Sequence, residues 1–325
     1  MTHRIAATSG LAALAAIGLA AVTACSSGSS SSSSSPAAST SPSASGGASN
    51  PLSGGSASGS VVIGSANFPE NELLAEVYAL ALQKKGVKVT TKLNIGAREV
   101  YYPQIKNGTL SIVPEYNGEL LSTSVDPSST AKTTADVDAA LKAKLPSTLE
   151  VLNQAPAEDS DSVTVTQATA SKYHLKSIGD LAPVAKNMTF GGPPEFKTRV
   201  DGLNGLTKTY GVTFKAFDPL DESGPITLSA LTSGKVQAAD VFTTTPQIIS
   251  DHLVPLADPK NNFAAQNVIP LVYKPKMNAT IISTLNAVSA KLTTQALLQM
   301  DNAVITQHAN YSTVAAGFLQ AEGLK

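Results

Sequence analysis

Few side chains in this sequence could do covalent chemistry. Its 325 residues include four histidines, His3, His174, His252 and His308, and a single cysteine, Cys25. His174 sits in the helical run KYHLK and His308 in the C-terminal helical region. Neither adjoins a serine-glycine elbow, a metal-ligand spacing or a carboxylate pair. Asp221 and Glu222 are paired acids, but they stand in a turn, DPLDESGP, without a partner base. These groups do not add up to a catalytic apparatus. The sequence is expected to bind and not to convert, with no cofactor and no metal.

The chemistry that remains is recognition. VPEYNGELL, Val113–Leu121, puts Glu115, Tyr116, Asn117 and Glu119 where a strand meets a helix. By position alone each has two readings. Tyr116 is either a half-buried packing residue or the wall of a ligand site. Glu119 either favours the next helix as an N-terminal acid or meets a ligand. Asp161 belongs to the acidic run EDSDS, which is otherwise a solvated linker. Arg199 in EFKTR is otherwise a surface arginine near a turn, and Phe242 closing AADVF is otherwise core. NIGAR is a glycine loop opening a helix that could hold an anion; a lone glycine loop does not make it a nucleotide site.

These residues need elements to hold them. VVIGS (Val61–Ser65) is a β-branched run and reads as a buried strand. NFPENELLAEVYALALQKKG follows as a helix started by Asn67 or Pro69, with Leu73, Leu74, Val77, Leu80 and Ala81 at helical spacing and Gly86 as its stop. VKVTTKLNIG reads as a strand, AREVYYPQIKNGTL as a short helix and LSIVPEY (Leu110–Tyr116) as a third strand. Such alternation implies a mostly parallel sheet flanked by helices. A helix over Thr134–Leu145 and a strand over Ser162–Thr166 follow, and the alternation then restarts through MTFGG, VTFKAF, VQAADVFT and VIPLVYKP. Three closing helices, Met277–Lys291, Thr294–Gln307 and Ser312–Leu324, have no sheet of their own and should pack back on the first unit. The expected division is lobe I over residues 61–160 plus 268–325 and lobe II over 161–267. Crossings near Ala157–Ser162 and Gln266–Leu271 would form a hinge. Ligands of open α/β sheets bind outside the C-terminal strand ends, so the ligand is expected in the cleft between the lobes.

Residues 1–25 read as an export signal, with Arg4 as a basic start and LAALAAIGLAAV (Leu11–Val22) as an apolar core. That core is too short for a membrane span of roughly 20 residues. VTAC (Val22–Cys25) fits a bacterial lipobox, which makes Cys25 the lipidation site. Residues 26–60, rich in Ser, Gly and Pro, cannot bury enough apolar surface to offset their ordering entropy and read as a flexible tether. A folded body lipid-anchored on the extracytoplasmic face of a cell membrane is implied. With 23 basic and 24 acidic residues the net charge is −1, and no basic stripe points to nucleic acid.

In order, IGSANFPENELLAEVYALAL, KLNIG, PEYNGELL, YHLKSIGDLA, EFKTRVDGLNGL followed by YG, ALTSGKVQAADVFTT and VAAGFLQAEGL resemble a known family over Val61–Lys325. It is that of the substrate-binding proteins of ABC importers for glycine betaine, choline and related osmoprotectants (ProX/OpuAC-like). The resemblance implies a two-lobed type II periplasmic-binding-protein fold that closes about its hinge. It implies a quaternary ammonium caged by aromatic faces and a basic or hydroxyl cluster for a carboxylate. Carried to this sequence, Tyr116 is a cage tyrosine, Phe242 a second aromatic position, Asp161 an acid beside the cage and Arg199 the carboxylate's arginine. Asn117-Gly118 would be a turn that lets the ligand approach the backbone. Departures accompany the match. Val163 stands where a cage tyrosine is expected, and Gln266 and Asn267 stand for a tyrosine pair. Ala66 replaces a common lysine and Glu119 a common threonine. Glu119 and Asn267 complete the expected ligand set. With less cage, less carboxylate grip and an added acid, glycine betaine is not expected to be the best ligand; a cation lacking a carboxylate, or a larger solute, suits the pocket better. The protein is expected to act as a monomer that captures a small solute and delivers it to an ABC permease and its ATPase. The alternatives are the same fold for an amino-acid derivative or larger non-betaine ligand, or a structural cell-surface lipoprotein.

Overall fold

Ten strands fall into two five-stranded sheets: β1 (Val61–Gly64), β2 (Val89–Lys92), β3 (Ile112–Tyr116), β4 (Leu149–Val151), β5 (Val163–Thr166), β6 (Thr189–Gly192), β7 (Ala216–Pro219), β8 (Ala238–Asp240), β9 (Leu253–Pro255) and β10 (Val268–Tyr273). The computed structural model describes residues 60–324. The expected export signal, the lipobox with Cys25 and the tether lie outside the described residues.

The first sheet has the order β2-β1-β3-β10-β4 and the second β7-β6-β8-β5-β9. The two orders match place for place. In the first, β10 runs antiparallel to both β3 and β4; in the second, β5 runs antiparallel to both β8 and β9. The remaining pairs, β1 with β2 and β3, and β6 with β7 and β8, are parallel. Each sheet is therefore mixed, with one reversed strand. In both cases that strand is the first one after the chain has crossed from the other sheet. β3 (IVPEY) is buried along its whole length, as is most of β10 (VIPLVY). That is what a central strand covered by helices on both faces requires.

The helices are α1 (Pro69–Lys84), α2 (Arg98–Lys106), α3 (Asn117–Leu120), α4 (Thr134–Lys144), α5 (Gln167–Tyr173), α6 (Leu203–Tyr210), α7 (Pro225–Thr232), α8 (Gln247–Ser250), α9 (Ala279–Lys291), α10 (Thr294–Asp301) and α11 (Tyr311–Ala321). Local chemistry starts several of them. Thr133, Thr166, Asn278, Thr293 and Asn310 each accept a backbone N–H of the first turn through a side-chain oxygen, satisfying donors a helix leaves unpaired. The closing helices α9, α10 and α11 pack against α1. One apolar core joins Ile63, Leu73, Leu74, Ile112, Leu271, Leu285 and Leu319, and a second gathers around Val163, Phe190, Phe196 and Leu206. Among the described residues, no helix is long and apolar enough to cross a membrane.

The two crossings run side by side in opposite directions. Ala155 N donates to Val268 O at 2.8 Å, Val268 N to Ala157 O at 3.0 Å, and Asp159 N to Gln266 O at 3.2 Å. The chain passes between the sheets as a short antiparallel ribbon.

Candidate functional site

The site forms where strand ends of both sheets meet this ribbon. After β1 the chain turns through Ser65–Phe68 into α1. Asn71 fixes that turn: its Oδ1 accepts from Ala66 N at 2.8 Å and its Nδ2 donates to Pro114 O at 3.1 Å on β3. Pro69 opens α1 at the position where a missing N–H costs nothing. Phe68 and Glu70 are thereby set beside Tyr116, the last residue of β3. Beyond β3, α3 runs into a wide turn in which Asp126 N reaches Leu121 O at 2.7 Å. Such wide turns are frequent at functional sites.

A buried ionic brace supports the floor. Arg98 Nε donates to Glu115 Oε1 at 3.0 Å and Oε2 at 3.1 Å, and its Nη2 to Glu115 Oε2 at 2.9 Å. Tyr101 Oη donates to Glu115 Oε1 at 2.8 Å and Tyr116 N to Oε2 at 3.1 Å. Arg98 Nη1 reaches on to Glu119 Oε2 at 3.2 Å, and Arg199 Nη1 approaches the same oxygen at 3.6 Å. Arg199 is further held by Glu99, its Nε donating to Oε1 at 3.2 Å and its Nη2 to Oε2 at 3.3 Å. Burial disfavours the charge on both guanidiniums, but the facing carboxylates more than offset it and hold both positive. Both arginines are thus committed to acids of the protein itself.

The cavity is lined by Phe68, Arg98, Tyr116, Glu119, Asp159, Asp161, Arg199, Glu222 and Phe242. Three rings make one wall. Phe68 meets Phe242 edge-on with centroids 5.0 Å apart and lies 6.0 Å from Tyr116 at 31°. Four acids against two already-paired arginines make the rest. The cavity's volume is about 20 Å³, room for little more than one water. A larger hollow of about 820 Å³ lies along the edge strand β4, but no ring and no arginine lines it. The chemistry converges on the small cavity.

Burial raises several carboxyls around the cavity. Burial, with Asp161 alongside, pushes Asp240 well up. Burial and Asp301 likewise push Glu70 up, and burial pushes Asp301 to about 8. Glu70 accepts from Tyr116 Oη at 2.5 Å and from Thr244 Oγ1 at 2.7 Å, linking the two sides of the cleft. Asp159 accepts from Thr244 N at 3.0 Å. Burial, then Asp201 and Asp161, push Glu119 up against the pull of Arg199 and Arg98. Burial pushes Glu222 to about 7. Among the described residues, no cluster of His, Cys, Asp and Glu is arranged to hold a metal ion.

Of the residues singled out from sequence, Tyr116, Glu119, Asp161, Arg199 and Phe242 line the one cavity. Asn267 does not. Its Nδ2 donates to Ala155 O at 3.2 Å, its Oδ1 accepts from Thr134 Oγ1 at 3.1 Å and its backbone N–H donates to Asn117 Oδ1 at 2.8 Å. It is a tie of the crossing ribbon. Gly118 likewise serves the ribbon and not a ligand: a Cβ there would sit 2.3 Å from Ala265 O. Val163 is fully buried core of the second sheet. Phe68, Arg98, Asp159 and Glu222 were not in the expected set. Asp159 and Asp161 had a legible signal, since alternate residues of an extended segment share a face. Arg98 opens the helix after NIG, where it can reach back to the end of β3.

With that geometry in place, comparison with known proteins defines the class. Residues 59–321 match the OpuAC family, the substrate-binding domain of ABC-type glycine betaine transport systems, and the chain belongs to that family. It is a family of solute-binding proteins of ABC transporters and not of enzymes. The glycine betaine-binding protein YehZ of Escherichia coli (strain K12) is 28% identical over 281 residues, covering 82% of this chain and 92% of YehZ. The ergothioneine transport permease/ergothioneine binding protein EgtU of Helicobacter pylori (strain G27) is 23% identical over 269 residues, 81% of this chain; the chain spans 48% of that longer protein. Among solved structures, a glycine betaine/carnitine/choline ABC transporter structure superposes with a TM-score of 0.64 at 21% identity, covering 81% of this chain and 99% of that one. The fold is the type II periplasmic-binding-protein fold that the motifs implied.

Proposed function

We propose that the protein is the extracytoplasmic solute-binding lipoprotein of an ABC importer, anchored through Cys25, and that its solute is a small organic cation of the choline type. The observation that carries the ligand class is the cavity wall: three aromatic rings beside Asp159, Asp161 and Glu222, three acids that no arginine pairs, with both arginines already paired to Glu115, Glu119 and Glu99. Aromatic faces attract a soft cation, and the surplus acid favours positive charge while opposing a carboxylate. The sheets act as two lobes, 61–160 plus 268–325 and 161–267, that part about the ribbon to admit the solute and close on it. A cavity of about 20 Å³ is far smaller than such a solute, so capture requires that opening. The closed form is a monomer that docks on the permease, whose ATPase supplies the work.

Isothermal calorimetry with choline, glycine betaine and carnitine tests this. Choline is expected to bind more tightly than glycine betaine, and Tyr116→Ala to weaken it at least tenfold, about 1.4 kcal/mol. Micromolar glycine betaine with weaker choline would overturn the ligand class. Heat from no small amine at all would favour a structural lipoprotein.

A further inference from the structure

The turn between β7 and α7, Asp221-Glu222-Ser223-Gly224, is held at both ends. Asp221 caps α7: its Oδ1 accepts from Thr227 N at 2.7 Å and its Oδ2 from Ile226 N at 3.0 Å. Gly224 permits this, since a Cβ there would lie 2.3 Å from Asp221 Oδ2. Ser223 adopts a left-handed backbone, φ 53°, which a non-glycine residue seldom does without compensation. The compensation is visible: Ser223 Oγ accepts from Phe242 N at 2.9 Å and pairs with Thr245 Oγ1 at 2.9 Å. Glu222, between these anchors, lines the cavity. Its Oε2 is enclosed and has no hydrogen-bond partner.

Every other acid on that wall has a donor or an arginine. Glu119 has Arg98, and Asp159 has Thr244. Asp161 has Asp240. Arg199 and Arg98 lie within electrostatic reach of Glu222, together with Glu195, Asp161 and Tyr101. Neither arginine donates to it. A buried carboxylate oxygen without a donor is costly and calls for an explanation. A ring wall alone satisfies a quaternary ammonium but gives that oxygen nothing.

We infer that Glu222 is the ligand's hydrogen-bond acceptor, so that the solute carries an N–H or O–H donor at a short distance from its cationic head and no terminal carboxylate. This rests on the cation reading above and narrows it to the alkanolamine type. It adds a proton to the binding reaction. Glu222 is pushed up to about 7 by burial, so near neutral pH a cation and its donor bind best to the ionised form and displace the proton to solvent. Affinity rises as pH climbs through 7.

The test compares choline with its methyl ether, which keeps the ammonium and loses the donor, on the purified protein, Glu222→Leu and Glu222→Gln, at pH 6 and pH 8. The unaltered protein is expected to bind choline at least tenfold more tightly than the ether, and choline more tightly at pH 8. Glu222→Leu should bind the two equally. Glu222→Gln, still an acceptor, should keep the preference and lose the pH dependence, which also guards against a variant that merely misfolds. Equal binding of choline and ether by the unaltered protein overturns the role of Glu222 and leaves the cation reading standing. Failure of both probes removes the cation reading and the inference with it. Glycine betaine bound more tightly at pH 6 than at pH 8 would make Glu222 a protonated donor to a carboxylate, the opposite of what is inferred.

Discussion

Replacing Arg98 by methionine should destabilise the first sheet's core without touching its apolar packing. Arg98 gives three N–H contacts of 2.9 to 3.1 Å to Glu115 and one of 3.2 Å to Glu119. Glu115 is fully buried and Glu119 nearly so. Removing one partner of a buried ion pair costs about 3–5 kcal/mol, because the other charge is left without compensation. Here Tyr101 Oη at 2.8 Å and Tyr116 N at 3.1 Å still serve Glu115, which places the loss at the lower end, about 3 kcal/mol. For a urea slope near ~3 kcal/mol/M the unfolding midpoint should fall by about 1 M. Urea titration followed by circular dichroism reads this directly. The double variant Arg98→Met/Glu115→Leu removes the stranded charge and should recover most of the loss, giving a coupling energy from the cycle. A midpoint unchanged in the single variant, or a double variant as unstable as the sum of its parts, would refute the reasoning that the arginine serves the acid and not the ligand.

Two further outcomes follow from buried groups. Asp301 is held near 8 by burial, above the ordinary carboxylate value of about 4, so the folded state binds the extra proton between these values. Stability therefore falls as pH climbs from about 4 to about 8. Asp301→Asn should flatten that slope and raise Tm at pH 8 while leaving it nearly unchanged at pH 4.5. A wild-type slope retained in the variant would assign it to Glu70. Gly118→Ala would put a Cβ 2.3 Å from the Ala265 carbonyl. Calorimetric unfolding should show an overpacking loss of about 1–3 kcal/mol, and an unaffected Tm would mean the ribbon yields freely at that point.

The β-branched runs and helical spacings made most strands and helices legible, including the return of the closing helices to α1. Of the three strands of three residues, β8 was read within VQAADVFT, whereas β4 and β9 carry too short a pattern to be read. The reversed direction of β5 and β10 depends on where the chain crosses, which no local pattern encodes. Tyr116 and Phe242 could be placed at the cavity because one closes β3 and the other lies two residues beyond β8. Asn267 does not line the cavity, and a polar residue at a crossing has the same appearance in sequence whether it faces a solute or ties two backbones. Arg98 escaped notice because its partner Glu115 is distant in sequence, and Glu222 because its neighbour Asp221, an equal acid, takes the capping role that would explain both.

The ribbon of two opposed crossings, tied by Asp159 N to Gln266 O and by the Glu158–Asn267 bridge, has a mechanical consequence. Two parallel tethers pinned to each other swing like the leaf of a door and resist torsion, whereas a single tether would behave as a ball joint. On the proposed opening, the conformations between shut and open would lie along one coordinate. A single pair of spin labels, one per lobe, should suffice to report the whole excursion.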